Sequence, residues 1–446
     1  LTTPRHTYLS TRPKMLSFPS KSSILPLCFL LLSIAPFTTQ ASVPSSAQFT
    51  YTNEGDFGYY IVEYDANYRA LNPVNSPFQL CFYNTTPNAF TLALRMGTVR
   101  STSLMRWVWE ANRGSPVREN ATLTFGSDGN LVLADADGRV AWQTNTANKG
   151  VVGFKVLATG NMVLFDSKGK FIWQSFDSPT DTLLVGQSLQ VGAVTQLVSR
   201  ASEKVNAKGA YSLVMESKTL AMYYNSPNTK KPFLYYSFSD LFSVNQGDLA
   251  EITFGPDLSL TFQGKSSSSG GSLELRRARY NATLSYLRLG LDGNLKFYTY
   301  DPETDYNAWQ VTYTLFDRDS TETECQLPEK CGNLGVCSKD QCVACPSPNG
   351  LKGWSEACQP TKVASCAAKD ITYYGLVGVD HFSCKYTSGE GPMKQDACRD
   401  KCTKTCKCLG YFYRTDSKQC WTVNELKTLT QVSNATHLAY IKTPVK

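Results

Sequence analysis

The sequence contains few of the residues from which active sites are usually built. Histidine occurs only 3 times in 446 residues, and the two histidines of the main body, His381 and His437, lie near no nucleophile motif, metal-binding motif or glycine-rich phosphate loop. Charged residues make up only 18% of the chain, and its net charge of +7 includes no basic cluster. The sequence therefore argues against an enzyme, a bound cofactor or metal, and a nucleic-acid partner.

Asp177 and Asp181 are the pair of carboxylates whose spacing could suggest acid–base chemistry. They are four residues apart, but Pro179 lies between them. Proline favours a turn, and aspartate side chains in turns commonly bond nearby backbone amides. We expect a structural role for both aspartates.

Long apolar runs are also absent, with one short exception at residues 24–35. This run has 12 residues, whereas a membrane-spanning helix needs about 20. It follows a segment with lysines and precedes small residues. These features predict a signal peptide over residues 15–41 that begins at Met15 and is cleaved after Ala41, with cleavage after Ala47 as the alternative. We expect a secreted, extracellular protein with no membrane span.

Cysteine is nearly absent from the first 324 residues. After Cys28, which lies in the signal peptide, this part holds only Cys81, whereas 13 of the 15 cysteines lie in residues 325–420. In a secreted chain such crowding is typical of small modules held by disulfides. The pairing of Cys81, Cys366 and Cys384 stays open. Disulfides are expected at Cys325, Cys331, Cys337, Cys342, Cys345, Cys358, Cys398, Cys402, Cys406, Cys408 and Cys420.

Cys342 and Cys345 allow a second interpretation, because two cysteines separated by two residues can form half of a tetrahedral zinc site. Oxidising conditions on the secretory route favour disulfides instead.

Four acceptor sequences for N-linked glycans follow the Asn-x-Ser/Thr rule. In a secreted chain we expect glycosylation at Asn84, Asn120, Asn281 and Asn434.

A duplicated unit that ends in tryptophan and glutamine is the most informative pattern present. In one copy, residues 128–133 form a turn and an apolar run that leads to Trp142-Gln143. The layout returns 31 residues later, where residues 160–164 lead to Trp173-Gln174. Each copy combines a turn, an apolar strand, a second turn and a short strand, which is a β-hairpin pattern. Duplication of so small a unit indicates that the copies bury their apolar faces against one another.

Together with the closing segment WQSFDSPTDTLL at residues 173–184, the repeats resemble the bulb-type, curculin-like mannose-binding lectins, in the form found in plant S-locus glycoproteins. The segments that begin at Cys81 and at Glu425 are similar to the plant group of epidermis-specific secreted glycoproteins. The resemblance implies a mainly β fold with two tandem β-prism domains, at residues 48–195 and 196–320. Within a prism, three repeats pack around a pseudo-threefold axis with their tryptophans inside.

The cysteine spacing near the C-terminus resembles two further modules. Residues 325–358 are similar to an EGF-like module, and residues 366–442 resemble a PAN/apple module, in which a helix is stapled to a curved sheet. The spacing of Cys398, Cys402 and Cys406 would place all three on one face of that helix.

In bulb-type lectins the sugar site has the pattern Gln-x-Asp-x-Asn-x-Val-x-Tyr on one strand. Alternate side chains then face the ligand, with the polar groups bonding sugar hydroxyls and the valine packing on ring carbons. The best copy here keeps Asp128, Asn130 and Val132, but has Gly126 and Ala134 in place of Gln and Tyr. Asp-Gly-Asn favours turns, so a structural turn is the preferred interpretation of Asp128-Gly129-Asn130. The alternative is a degenerate, weak mannose site formed by Asp128, Asn130 and Val132.

Two other copies also depart from this pattern. The second keeps only Asn161 and Val163, and a later copy with Asp292 and Asn294 has Lys296 and Tyr298 in its last two positions. The aromatic residues Trp107, Trp109, Trp142 and Trp173 are expected in the core rather than on a ligand platform.

Two functions fit these observations. One is weak, multivalent binding of cell-wall or glycoprotein glycans in the apoplast. The other is a protein-interaction module that, like a receptor ectodomain without its kinase, binds a secreted enzyme or a receptor. The eroded motif favours the second and the resemblance favours the first, which is our principal prediction.

Overall fold

The computed structural model describes residues 42–97, 105–238, 248–266, 270–274, 284–301, 308–363, 365 and 367–445. The signal peptide expected at residues 15–41, the acceptor Asn281 and Cys366 lie outside these residues. The described chain is mainly β, with one α-helix and several short 3₁₀ turns. No helix among these residues is long and apolar enough to cross a membrane.

Three antiparallel sheets form the first part of the chain. Their strands are, in chain order, β1 (Phe49–Thr52), β2 (Asn67–Asn75), β3 (Phe78–Asn84), β4 (Thr91–Met96), β5 (Arg106–Glu110), β6 (Thr122–Phe125), β7 (Leu131–Ala134), β8 (Val140–Gln143), β9 (Val151–Val156), β10 (Met162–Asp166) and β11 (Phe171–Gln174). The sheet orders are β2-β3-β4-β5, β1-β6-β7-β8 and β9-β10-β11. Alternating apolar residues explain this arrangement, since β6 and β7 each bury every second side chain in a common core.

Three tryptophans, one from each sheet, meet at the centre of this part. Trp109 lies on β5, Trp142 on β8 and Trp173 on β11. Their ring centroids are 5.8, 5.8 and 6.2 Å apart, with interplanar angles of 72–76°. Edge-to-face contacts of this kind are favourable for aromatic rings. Trp107 lies apart from them, stacked on Tyr83 at 4.1 Å.

Three four-stranded sheets form the second part. Their strands are β12 (Thr182–Leu184), β13 (Ser188–Gln190), β14 (Gln196–Arg200), β15 (Lys208–Met215), β16 (Leu220–Tyr224), β17 (Phe233–Ser237), β18 (Leu249–Phe254), β19 (Ser259–Gly264), β20 (Gly270–Glu274), β21 (Ser285–Leu289), β22 (Leu295–Tyr300) and β23 (Trp309–Thr314). The sheet orders are β12-β21-β22-β23, β13-β18-β19-β20 and β14-β15-β16-β17.

The strand pairings cross the domain boundary that we expected between residues 195 and 196. Strands β12 and β13 lie before it, yet they pair with β21 and β18 of the second part. A strand of only three residues carries little local signal of its partner, because strand preference depends strongly on the neighbouring strand. The closing segment of the tryptophan repeats therefore also begins the second set of sheets.

The C-terminal part consists of two sheets and a helix. Its elements are β24 (Leu334–Ser338), β25 (Gln341–Ser347), β26 (Gly350–Gly353), β27 (Ile371–Val377), β28 (Val379–His381), α1 (Gln395–Lys404), β29 (Gly410–Arg414), β30 (Gln419–Val423), β31 (Lys427–Gln431) and β32 (His437–Pro444). One sheet has the order β26-β25-β24-β31-β28 and the other β27-β32-β29-β30. The segments expected as separate EGF-like and PAN-like modules thus share a sheet through the parallel β24–β31 pair.

Five described disulfides hold this part together. They join Cys325 to Cys337, Cys331 to Cys342, Cys345 to Cys358, Cys398 to Cys420 and Cys402 to Cys408. Cys406 is also disulfide-bonded, whereas Cys81 and Cys384 are buried free thiols.

The expected helical face of three cysteines is wrong in one respect. Cys398 and Cys402 are buried on α1, but the helix ends at Lys404, before Cys406. The bond from Cys402 to Cys408 spans only six residues, which is too short a separation for the chain to continue as a straight helix between them. Cys406 therefore lies in the exposed turn that follows the helix.

Candidate functional site

The first copy of the sugar motif lies mainly in a turn rather than on a strand. Strand β6 ends at Phe125 and β7 begins at Leu131, so Asp128 and Asn130 lie between them. The turn is closed by a bond from Gly129 N to Gly126 O at 3.1 Å, with Gly129 at φ +80°. The Asp128 carboxylate accepts a bond from Asn130 N at 3.0 Å. The strand face expected for alternate motif residues therefore begins only at Val132.

Asn130 is used inside the fold. Its Nδ2 donates to Gln143 Oε1 at 2.9 Å, and its Oδ1 accepts bonds from Thr144 Oγ1 and Thr146 N, both at 3.0 Å. The residue is only 7% exposed. These bonds connect the turn before β7 to the last residue of β8 and to the residues that follow it, so the side chain has a structural role.

The same clamp occurs in the second copy. Asn161 Nδ2 donates to Gln174 Oε1 at 2.9 Å, and its Oδ1 accepts from Ser175 Oγ and Phe176 N at 3.3 Å. Val163 is fully buried. The Asn161 side chain is therefore bonded within the fold, and Val163 is not accessible to a ligand.

The clamp also appears in the second part, where Asn294 bonds both the backbone N–H and the carbonyl of Phe316, at 3.1 and 2.9 Å. From the sequence, Asn130 and Asn161 were expected in turns or in a degenerate sugar site, but the side-chain clamp was not predicted. One sequence feature could have indicated this structural role. In each of the first two copies a glutamine follows the tryptophan, and this glutamine accepts a bond from the asparagine.

A small polar and apolar face remains at the first copy. Asp128 and Gln143 are exposed, and Val132 is half-buried. Val132 lies opposite Thr124 on one side and Gln143 on the other. Ala134 provides no hydroxyl at the position of the motif tyrosine. This face therefore offers one carboxylate, one amide and one apolar side chain.

A buried cluster of charged residues joins the first two parts of the chain. Arg113 donates to Asp181 at 2.9 Å and to Glu110 at 2.6 Å. Arg288 contacts Glu63 at 2.6 Å and Asp181 at 3.9 Å. Burial alone would raise the pKa of Asp181, but the Arg113 and Arg288 guanidiniums hold it below its ordinary value. The Asp181 carboxylate thus bonds distant arginines instead of the local backbone amides that we expected.

The three glycan acceptors within the described chain differ in exposure. Asn120 and Asn434 are exposed, and Asn434 Oδ1 accepts a bond from Thr436 Oγ1 of its own acceptor sequence at 2.8 Å. Asn84, the last residue of β3, is only 5% exposed. An N-linked glycan at Asn84 would have to leave through packed protein, which disfavours that site.

No group of three or more histidine, cysteine, aspartate or glutamate side chains is arranged to hold a metal ion in the described ranges. Cys342 and Cys345 each have a different disulfide partner.

Comparisons with known proteins find one lectin domain and several similar plant glycoproteins. The family model described as D-mannose binding lectin matches residues 106–204, which include the three tryptophans. EP1-like glycoprotein 3 of Arabidopsis thaliana is 51% identical over 432 residues, covering 95% of this chain and 98% of the relative. The epidermis-specific secreted glycoprotein EP1 of Daucus carota is 58% identical over 361 residues, covering 75% of this chain and 92% of the relative.

A G-type lectin S-receptor-like serine/threonine-protein kinase of Arabidopsis thaliana is 26% identical over 364 residues. This match covers 76% of this chain and 39% of the relative. The matched model and the tryptophan-centred sheets define the class as proteins with a bulb-type lectin domain. Within this class, the chain belongs to the family of EP1-like glycoproteins.

Proposed function

We propose that this chain is a secreted, non-enzymatic glycoprotein that binds glycans weakly in the plant cell wall or apoplast. The observation that carries the proposal is the lectin domain at residues 106–204 with its remaining face of Asp128, Val132 and Gln143. The name of the Daucus carota relative supports secretion.

The expected weakness follows from the missing groups. Each lost hydrogen bond removes about 1 kcal/mol, and a millimolar site has only about 4 kcal/mol in total. With Gly126 and Ala134 at two polar positions, and Asn130 bonded to Gln143, little affinity for a free monosaccharide remains. Useful binding would then depend on several weak contacts with one polymer or one surface.

A glycan array of the secreted, full-length protein tests this function. Displayed as an oligomer on beads, the protein should bind a subset of plant glycans, and the Asp128→Ala variant should lose binding wherever the first copy is used. Asp137→Ala is the matched control, because Asp137 is an exposed carboxylate in a neighbouring turn. Absence of binding to every glycan would reject the proposal.

A second function is favoured by one specific observation. The asparagines of all three clamps bond the fold itself, as expected if the lectin scaffold serves as a surface for a secreted protein or a receptor. Pull-down from apoplastic fluid with and without glycosidase treatment separates the two functions. Capture of one partner that survives deglycosylation would favour the protein-interaction module.

A further inference from the structure

We propose that the cleft between the tryptophan-centred sheets and β14 binds a small aromatic carboxylate, a single ring that carries its acid group on a short side chain. This proposal goes beyond the proposed glycan function and does not depend on it. The cleft has a volume of about 310 Å³, at the lower end of the roughly 300–1,000 Å³ that is usual for ligand pockets. It is lined by Trp109, Trp142, Thr180, Gln196, Val198 and Lys208, among others.

Two tryptophans form an aromatic wall on one side of the cleft. Trp109 is only 5% exposed, and its Nε1 donates to Ser178 O at 3.0 Å. Trp142 is half-buried and packs edge-to-face against Trp109, with ring centroids 5.8 Å apart. Side chains fixed in this way lose little conformational freedom on binding. The wall can therefore receive a flat aromatic ring, for which such contacts are favourable.

Strand β14 forms the opposite side. Gln196 and Val198 both line the cleft, as expected for alternate residues of one strand. The strand is held across the cleft by two bonds, since Arg113 Nη1 donates to Val198 O at 2.9 Å and Val198 N donates to Thr180 O at 2.8 Å. These bonds fix the distance between the two sides, so the cleft is formed before any ligand arrives.

The Thr180 hydroxyl is a polar group that the fold leaves unused. Its Oγ1 is buried and has no hydrogen-bond partner within the described ranges. An unpaired buried hydroxyl lowers stability, because it has lost its bonds to water without gaining others. Threonine can rotate between staggered positions about χ1, so this hydroxyl can turn to donate to an oxygen of a ligand in the cleft.

The charges around the cleft favour an anion. Arg113 and Glu110 line it and belong to a largely buried network of four arginines and three carboxylates. The members of this network are Arg106, Arg113, Arg200 and Arg288 with Glu63, Glu110 and Asp181. Lys208 adds an exposed cation at the cleft, and its ammonium group pairs with no carboxylate of the described chain. A cleft with an excess of positive charge attracts anions.

The test uses isothermal titration of the secreted full chain with hydrocinnamate and with its neutral alcohol and cationic amine analogues. Lys208→Gln removes the cation from an exposed position. Lys204→Gln is the matched control, because Lys204 is exposed in the loop before β15 and does not line the cleft. Thr180→Val replaces the unpaired hydroxyl with a methyl group. Gln196→Trp fills the cleft from an exposed position on β14.

We expect hydrocinnamate to bind, and the alcohol and the amine to bind about tenfold or more weakly, since bonds to a charged group are the stronger ones. Lys208→Gln should weaken hydrocinnamate by about tenfold and Lys204→Gln by less than about twofold. Thr180→Val should weaken it by about fivefold, as for one lost hydrogen bond, without lowering the denaturation midpoint of the free protein. Gln196→Trp should abolish binding.

Three results would overturn the proposal. Equal or tighter binding of the alcohol or the amine would show that the cleft does not select an anion. Hydrocinnamate binding that survives both Gln196→Trp and Lys208→Gln would place the ligand elsewhere on the molecule. Absence of hydrocinnamate binding by the wild type would reject the site itself.

Discussion

Asp181 accepts a hydrogen bond from Arg113 at 2.9 Å, across the boundary between the first and second sets of three sheets. Both side chains are less than a tenth exposed. Arg288 approaches the same carboxylate at 3.9 Å and pairs with Glu63 at 2.6 Å. Carboxylates and guanidiniums from both parts therefore fix the two sets of sheets relative to each other, because separation would leave buried charges without partners.

Removal of the Asp181 carboxylate should strongly destabilise the protein. Breaking a buried ion pair leaves an uncompensated charge and typically costs about 3–5 kcal/mol, so Asp181→Ala should lower the free energy of unfolding by several kcal/mol. Denaturant titration followed by tryptophan fluorescence measures the change. Asp137→Ala is the control, since the exposed pair of Asp137 and Arg118 should contribute less than about 1 kcal/mol. Equal effects of the two substitutions would contradict the role of the cluster.

Burial of His381 should make the C-terminal part sensitive to acid. Burial lowers the pKa of this imidazole to about 3, and its ring nitrogens interact with Ser383 Oγ at 2.7 Å and Glu425 O at 3.1 Å. An exposed histidine in the unfolded chain has a pKa near 6.5. Between these values the unfolded state binds the extra proton, so the free energy of unfolding is highest above pH 6.5 and falls as the pH is lowered.

The effect can be isolated by comparing the wild type with His381→Gln, which cannot titrate. From pH 7 to pH 5 the wild type should lose up to about 2 kcal/mol relative to the variant, as measured by denaturant titration at both pH values. If the difference in unfolding free energy between the wild type and His381→Gln is the same at pH 7 and pH 5, His381 does not cause the acid sensitivity.

Local sequence patterns predicted where strands form better than they predicted which strands pair with one another. The two Trp-Gln repeats indicated hairpins with buried tryptophans, and Trp109, Trp142 and Trp173 do meet in one core. The pairing of β12 with β21 joins residues more than a hundred positions apart, which no local period encodes. For the same reason, the bond from Arg113 to Asp181 was not foreseen.

The candidate site shows a related difficulty. The spacing of Asp128, Asn130 and Val132 is the same whether the residues extend along a strand or begin in a turn. Only the bonds from Asn130 to Gln143 and Thr146 distinguish the two. The asparagine in a motif that resembles a sugar site thus stabilises the fold itself.

Glycosylation should follow exposure at the three acceptors that are described. Asn120→Gln and Asn434→Gln should each reduce the intact mass of the secreted protein by one glycan, whereas Asn84→Gln should leave it unchanged because Asn84 is buried. Mass spectrometry before and after glycosidase treatment provides the measurement. A glycan on Asn84 would require the end of β3 to differ from the packing seen here.

Reduction should unfold the C-terminal part before the two sets of sheets. All five described disulfides lie in residues 325–420, and each native bridge in a small domain contributes about 2–5 kcal/mol. Limited proteolysis under reductant should therefore release a resistant fragment that ends before residue 325. Simultaneous digestion of the whole chain would argue against independent stability of the tryptophan-centred part.

Restoring the two missing motif side chains should raise mannose affinity at the first copy. Gly126 is outside the left-handed region, and a Cβ at this position would lie 3.3 Å from the Asp128 carboxylate, which is exposed and can shift. Gly126→Gln with Ala134→Tyr adds two hydrogen-bonding groups beside Val132. At about 1 kcal/mol each, they should strengthen binding by roughly 30-fold from a starting value weaker than about 1 mM.

Titration calorimetry with mannose measures this gain, and Asp128→Ala in the double variant should abolish it if the original motif residues take part. Gln143→Ala offers a further step, because loss of its Oε1 releases Asn130 Nδ2 from the 2.9 Å bond that now occupies it. If the triple variant binds more tightly than the double, the clamp limits sugar binding in the natural sequence. Sub-millimolar binding by the wild type would instead mean that Asp128, Val132 and Gln143 suffice, since Gly126 and Ala134 contribute no polar contact.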